Sequence, residues 1–496
     1  MPTEKSLTPE IKHSHGSVLI VGGGPAGLAT ALMLAKRGWT NITILEKRAA
    51  ADYYEPDKSF NYLIDGRGQK FTDMLGISDH LAEIGVSNTE FYLTRIKPDG
   101  SRKTAKLPTI NPNRKTAYWM PRRAFVFMLY QEIVRHWSES ITVLFNTSCV
   151  QINKTTKLEI VAEDEKGTVS KFTAALLVGC DGLNSIVGNT LKEWDKSISN
   201  KFEMKYFPSA SSGLRYKVLS LPPNFPLDST ANEHAVCDMA YAIRGAFPER
   251  KRSVSLGILP IKNPEEPRTA NIITRPNNAI WELKNSAEVY NFFEKAFPQL
   301  PINQILSPEE VERFALSEGG YFPIPQYCSG LQFLLTPVDT TSTAGVVLLG
   351  DAIHCFPPDL GQGVNSALED VCVLNQALSE SDDDLDRALP LYESLRLADT
   401  EALVRLVQIG YPWQYNQAPL RSKLWNINFL IRLLLSRLLP FIFSPPAFFL
   451  IQNSQLSYKE IWVMVQRTTK SLYVLGFIVI CGFLVLTLRI ALKFIG

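Results

Sequence analysis

Apolar and polar positions follow different periods in different parts of this chain. Residues 17–21 are a short, mostly apolar run that ends in a glycine cluster. Leu28–Arg37 then repeats its apolar positions at helical spacing, and 41–45 is a second β-branched run ending at Glu46. Strand, helix and strand in about 30 residues predict a βαβ unit. Residues 118–137 predict a helix, with Pro121 near its start and Phe125, Met128, Leu129 and Ile133 on one face. Residues 141–180 predict strands, with a turn at Lys166-Gly167. From 208 to 343 the pattern changes to prolines and short strand-like runs such as Val254–Leu259 and Leu331–Thr336, which predict a second, sheet-based unit. Residues 344–349 have the pattern of a buried strand, and Val364–Leu378 that of a helix.

The end of the chain is different again. Ser471–Leu488 is 18 residues without a charge, about 27 Å long as a helix. With Arg489 and Lys493 snorkelling, a span over 471–492 would cross a hydrocarbon core of about 30 Å. Residues 424–451 are also apolar, but Arg432, Arg437, Pro440, Pro445 and Pro446 interrupt them. They are expected to lie on a membrane surface or to cover the second unit.

Charge sharpens this division. The 496 residues carry 51 basic and 49 acidic side chains, too balanced for a protein whose surface binds nucleic acid. Nine of the basic residues but only Glu460 among the acids fall in 416–496, so residues 1–415 hold 42 basic and 48 acidic, a net of −6. An acidic body on a basic, apolar tail implies a unit tethered to a membrane. Seven cysteines without regular spacing suit a reducing compartment, and residues 1–16 are polar, as in a flexible leader. The expected organisation is α/β: a Rossmann-like dinucleotide-binding domain over 17–207 and 340–415, a discontinuous mixed-sheet domain over 208–339 that borrows part of 60–120, and a helical membrane tail over 416–496.

Three motifs carry chemistry. Gly22-Gly23-Gly24-Pro25-Ala26-Gly27 follows a strand, opens a helix and is followed nineteen residues later by Glu46. In that context it is a dinucleotide fingerprint: Gly22 for the turn, Gly24 for approach of a pyrophosphate, Gly27 for helix–strand packing and Glu46 for a ribose. The second motif is Leu177-Val178-Gly179-Cys180-Asp181-Gly182, a strand ending in a tight turn. The third is Gly350-Asp351-Ala352-Ile353-His354, continuing through Pro357 to Gly361-Gln362-Gly363-Val364-Asn365. Asp351 suits a polyol hydroxyl. The helix begun by Gly361–Asn365 offers free N–H groups and a dipole to the negative charge of a reduced flavin. His354 is read as structural or as flavin packing. No metal-ligand cluster stands out.

In this order the motifs resemble those of the single-component FAD monooxygenases, the flavoprotein aromatic hydroxylases. Within that family the stretches Lys58–Asn61, Gly66–Gln69, Val178–Gly182 and Gly361–Asp370 are most similar to the kynurenine-hydroxylating branch, whose eukaryotic members also end in a membrane-anchoring tail. The resemblance implies FAD held by Gly22, Gly24, Pro25, Ala26, Gly27, Glu46, Lys47, Arg67, Asp181, Gly350, Asp351, Gly363, Val364 and Asn365. It adds a helix-opening arginine, Arg122, with Arg123 as the alternative. It also implies NAD(P)H, O2 and a small electron-rich, aromatic substrate as partners, with oxygen transferred through a flavin C4a-hydroperoxide beside the loop Pro357–Asn365. No separate nucleophile is implied. An epoxidase of an apolar polyene or terpenoid, or an FAD oxidase, are the alternatives. The catalytic domains would face the cytosol or another reducing compartment.

The chain departs from the kynurenine pattern where the substrate carboxylate would be held. Residues 88–94 contain no arginine, Leu107-Pro108-Thr109 stands near the expected tyrosine, and Val218 replaces a substrate-domain glutamate. An amino-acid carboxylate buried without a guanidinium is costly, so kynurenine is expected to be a weak substrate unless Arg95, Arg102 or Arg215 substitutes.

Overall fold

The protein is described here by a computed structural model covering residues 16–89, 92–106, 114–155, 157–195, 200–230, 232–335, 344–415 and 417–495. Most of the leader, part of the 88–94 stretch, Leu107–Thr109 and the side chain of Lys493 lie outside the described residues.

The first apolar runs form the centre of a six-stranded sheet. Its order is Gln332–Leu335, Ala344–Leu348, Leu176–Gly179, Val18–Val21, Ile42–Leu45, Ile141–Leu144, and only the edge strand Gln332–Leu335 runs antiparallel. The three central strands are buried along their whole length, because helices cover the sheet. Helix Pro25–Lys36 packs against helices Arg122–His136 and Gly363–Glu380. The 118–137 segment is not one helix. Tyr118–Pro121 is a strand paired with Asn61–Ile64, and the helix begins at Arg122. Pro121 accounts for the boundary: its ψ of 140° is extended, and proline favours the first turn of a helix, not its interior.

The second unit is a seven-stranded mixed sheet. Its order is Gly320–Tyr321, Arg215–Leu221, Arg268–Thr274, Ser255–Ile258, Ala240–Arg244, Tyr92–Ile96, Arg102–Lys106. Only Tyr92–Ile96 and Ala240–Arg244 pair in parallel. Helices Ser286–Ala296 and Pro308–Leu316 pack against it, burying Phe293 and Phe314 with Leu219, Ile243 and Ile272. Asn285 and Ser307 cap them, each accepting a bond from a backbone N–H of the first turn.

The tail does more than hang from this body. After helices Pro419–Leu438 and Ala447–Leu450, a single helix runs from Tyr458 to Ile495, starting well before the expected span. Tyr458, Ile461 and Val465 on its first turns join Leu450 and Ile451 in a core shared with Leu403, Leu406 and Val407 of helix Leu385–Gly410. Each fully buried side chain of this size contributes about 1.5–3 kcal/mol. From Tyr473 to Ile490 most side chains of the helix are exposed. Among the described residues it is the one helix long and apolar enough to cross a membrane, with a mean hydropathy of 2.5.

Candidate functional site

The site is built where the Rossmann turn, the 350 loop and the start of helix Gly363–Glu380 converge. A Cβ added at Gly350 would lie 3.3 Å from Cβ of Ala26 and 3.4 Å from Cβ of Ala367, so the Rossmann turn, the 350 loop and the helix after it meet there. Gly22 has φ +101°, and a Cβ on it would lie 2.4 Å from the Cys180 carbonyl oxygen, which joins the second motif to the first. Around Gly24, Gly361 and Gly363, in contrast, a Cβ would meet nothing within 4 Å. The open space lies beside the two helix N-termini, where N–H groups lack intrahelical partners. That is the space and the charge a dinucleotide needs.

Glu46 ends its strand 4% exposed. Its Oε2 accepts from Gly23 N–H at 2.7 Å and its Oε1 from Arg48 N–H at 2.8 Å. Arg48, not Lys47, turns into the cleft: Lys47 is exposed, while Arg48 lines a hollow with Gly23, Glu46, Tyr53 and Arg122. Glu55 organises the cations. It pairs with Arg48 at 2.5 Å, Lys58 at 2.9 Å and Arg122 at 3.5 Å. Partial burial pushes its carboxyl up, but the bonds from Lys58 and Arg48 outweigh this and hold it down at about 2. Of the two helix-opening arginines, Arg122 points inward. Arg123 is more exposed and pairs with Glu266 at 3.3 Å. From Arg122 a cleft runs on to Ile261 and Thr269 at the mixed sheet. Asp351 is exposed on the open side of its loop.

The side chains of three expected cofactor residues make contacts within the protein. Arg67 is 1% exposed; it donates to Glu369 at 2.7 Å and to the carbonyls of Leu456 at 2.7 Å and Asn453 at 3.3 Å. Asp181 accepts from Ser185 Oγ and from the N–H groups of Ile186 and Val187, which fixes the start of helix Ile186–Trp194. The side chain of Asn365 accepts from Asp65 N–H and donates to the carbonyls of Leu63 and Gly361. Burial leaves little water to satisfy these groups, so they turn to protein partners, although Arg67 Nε keeps none. Val364 is buried and offers backbone only, and Pro357 is buried at the turn before Gly361.

Behind the loop is a buried ionic chain. His354 Nε2 lies 2.9 Å from Asp370, Arg396 pairs with Asp370 at 2.6 Å and Glu369 at 2.9 Å, and Glu369 continues to Arg67. Burial alone would raise both carboxyls. The arginines, with His354 beside Asp370, reverse this and hold both below the usual range. Asp370 also accepts from Gly350 N–H at 2.7 Å, tying the helix to the 350 loop. His354 is therefore structural. Gln362 links this frame to the tail: it donates to Asp65 at 2.8 Å and accepts from Tyr458 Oη at 2.8 Å. The Tyr458 ring lies 4.0 Å from the Arg67 guanidinium. Nothing in the sequence signals Arg396 or Tyr458 as part of the site, since both are distant along the chain from what they hold.

With this geometry in place, comparison with known proteins is informative. The family described as FAD binding domain matches residues 15–211 and 337–406, the segments that build the converging motifs. The chain belongs to this family. Kynurenine 3-monooxygenase of Anopheles gambiae is 25% identical over 441 residues, covering 88% of this chain and 81% of that one. Violacein synthase of Chromobacterium violaceum is 23% identical over 404 residues, covering 79% and 84%. Among solved structures, 2-methyl-3-hydroxypyridine-5-carboxylic acid oxygenase superposes with a TM-score of 0.54 at 18% identity, covering 80% of this chain and 91% of that one, a likeness of fold.

Proposed function

We propose that this chain is an FAD-dependent, NAD(P)H-consuming monooxygenase that inserts one oxygen atom of O2 into an electron-rich aromatic substrate and is anchored to a membrane by its tail. The observation that carries the reading is the convergence of three sequence-distant motifs on one cleft, with room left at Gly24, Gly361 and Gly363. The N-terminus of helix Pro25–Lys36 and Arg122 would take the pyrophosphate, Glu46 the adenosine ribose and Asp351 the ribityl chain. The start of helix Gly363–Glu380 would face the flavin ring. When bound, FAD supplies the redox and oxygen chemistry; the chain binds, orients and excludes water. Purified protein should release FAD on denaturation. NAD(P)H oxidation should be stimulated by an aromatic substrate that gains one oxygen by mass. Peroxide release without an oxygenated product would favour an oxidase.

The Anopheles gambiae relative is a kynurenine 3-monooxygenase, but the arginines available in this chain argue against that substrate. Arg95 is exposed. Arg102 pairs with Asp228 at 2.5 Å and also with Glu233. Arg215 stacks 3.9 Å from the Trp281 ring and donates to the Glu318 carbonyl. A missing charge-assisted pair costs about 2–5 kcal/mol, or roughly 30- to 4,000-fold in affinity. Kynurenine should therefore stimulate NADPH oxidation weakly or not at all. Efficient formation of 3-hydroxykynurenine at micromolar kynurenine would overturn the expectation.

A further inference from the structure

Helix Pro419–Leu438 has two apolar faces, and the body of the protein covers only one of them. On the inner face Trp425 meets the Tyr411 ring at 5.3 Å and donates to the Ile409 carbonyl at 3.1 Å, while Phe429 meets Phe449 at 5.3 Å. On the outer face Leu420, Leu424, Ile427, Ile431, Leu434 and Leu438 follow one another at alternating steps of four and three residues. They make one stripe along the helix and are 45–71% exposed. Arg421 flanks the stripe on one side, Lys423 and Arg437 on the other, and all three are exposed. The helix contains no acidic residue. It meets the long terminal helix at Arg432, which donates to Thr469 Oγ1 at 2.9 Å. The chain leaving it returns to the same level, where Ser444 N–H donates to Thr468 Oγ1 at 2.8 Å. The bare stripe thus lies beside the point at which the uncharged stretch from Ser471 leaves the body.

We propose that helix Pro419–Leu438 lies in the plane of the membrane, with its outer stripe in the acyl boundary and its basic flanks on anionic phospholipid headgroups. The proposal rests on the reading that residues 471–492 cross the bilayer, and it adds a lipid-selective contact beside that span. An apolar stripe between cationic flanks is the arrangement that suits an anionic lipid surface. The same spacing of leucines would also suit a paired helix, but charge decides against a second copy. Two such helices would set cation against cation along their flanks, with no acidic residue on either to pair with. The contact is reversible and orients the body; the span remains the anchor. Orientation reaches the body through the inner face, because Trp425 is seated on the end of helix Leu385–Gly410.

The test uses the full-length protein in phosphatidylcholine nanodiscs that carry equal fractions of bromine-bearing phosphatidylserine or bromine-bearing phosphatidylcholine. Ile427→Trp, with Leu434→Trp as a second variant, adds a fluorophore to the exposed stripe, and its emission is read as the difference from wild type. Bromine on the acyl chains should quench the added tryptophan in both discs. Quenching should be at least about twofold stronger when the bromine is on phosphatidylserine, and molar salt should erase that difference. Arg421→Gln, Lys423→Gln and Arg437→Gln together, in the Ile427→Trp background, should keep the quenching and lose the headgroup preference. No quenching of either added tryptophan would overturn the proposal by placing the stripe outside the bilayer. Equal quenching by the two lipids would overturn the headgroup contact, as would a preference that survives the triple substitution. Disulfide-linked dimers of Ile427→Cys in place of quenching would assign the stripe to a second copy. A full-length protein that does not enter nanodiscs at all is a different failure, because it removes the span beneath the proposal.

Discussion

Two glycines of one turn meet different constraints. At Gly27 a Cβ would fall 1.9 Å from the Gly22 carbonyl oxygen, so a side chain there breaks helix–strand packing. At Gly24 it would meet nothing, so a side chain is tolerated by the protein and obstructs only the ligand. Gly24→Val should therefore fold with a near-wild-type melting temperature yet purify without FAD, whereas Gly27→Val should melt much lower or fail to fold. Flavin absorbance and a thermal melt separate the two. Glu55 yields a pH prediction. Its carboxyl sits at about 2 in the folded protein against an ordinary 4.5, so it stabilises the fold fully above 4.5. That contribution is lost as pH falls from about 4.5 to about 2. Glu55→Gln should flatten this part of the acid-stability curve, as followed by urea melts from pH 5 to pH 2.5. The glycine roles were legible in the sequence because turn geometry is local. Glu55 was not, because its worth depends on Arg48, Lys58 and Arg122 being brought around it.

Helix Gly363–Glu380 is held in place by charges on its inner face. Arg396, on helix Leu385–Gly410, is fully buried between Glu369 and Asp370. Arg396→Met should lower stability by about 3–5 kcal/mol, because it leaves two buried carboxylates short of a partner. A denaturant melt measures this directly. The Glu369-Asp370 pair was visible as a motif, but its partners lie 26 and more residues onward or behind the loop, and only helix packing selects them. Tyr458 acts from the tail on the same loop. Tyr458→Phe removes one hydroxyl from Gln362 and should cost about 1 kcal/mol of stability. Its more telling effect should be a lower yield of oxygenated product per NAD(P)H, since Gln362 directly precedes the helix end proposed to face the flavin. Product yield unchanged from wild type would remove Tyr458 from any role beyond packing.

The tail divides at about Ser471 into a part that belongs to the body and a part that does not. Truncation before Ser471 should leave FAD content and melting temperature intact and release the protein from membranes in a flotation assay. Truncation before Ser457 removes Tyr458, Ile461 and Val465 from the core and should yield unstable protein with poor flavin retention. If the shorter truncation stays as tightly membrane-bound as the full chain, the anchor is not the 471–492 segment. The exposed leucines and basic residues of helix Pro419–Leu438 then become the membrane contact.

Sequence by itself determined whatever depends on neighbours along the chain. The βαβ unit, the turn at Gly22–Gly27, the acidic residue closing the next strand and the glycine-opened helix at 363 all follow from hydrophobic period and backbone sterics. Tertiary structure decided what depends on partners far along the chain. It turned Arg48 rather than Lys47 into the cleft, spent Arg67, Asp181 and Asn365 on internal bonds, and brought Tyr458 to Gln362 across 96 residues. The physical reason is that burial obliges each polar atom to find a partner, and which partner is within reach is a property of the packed fold.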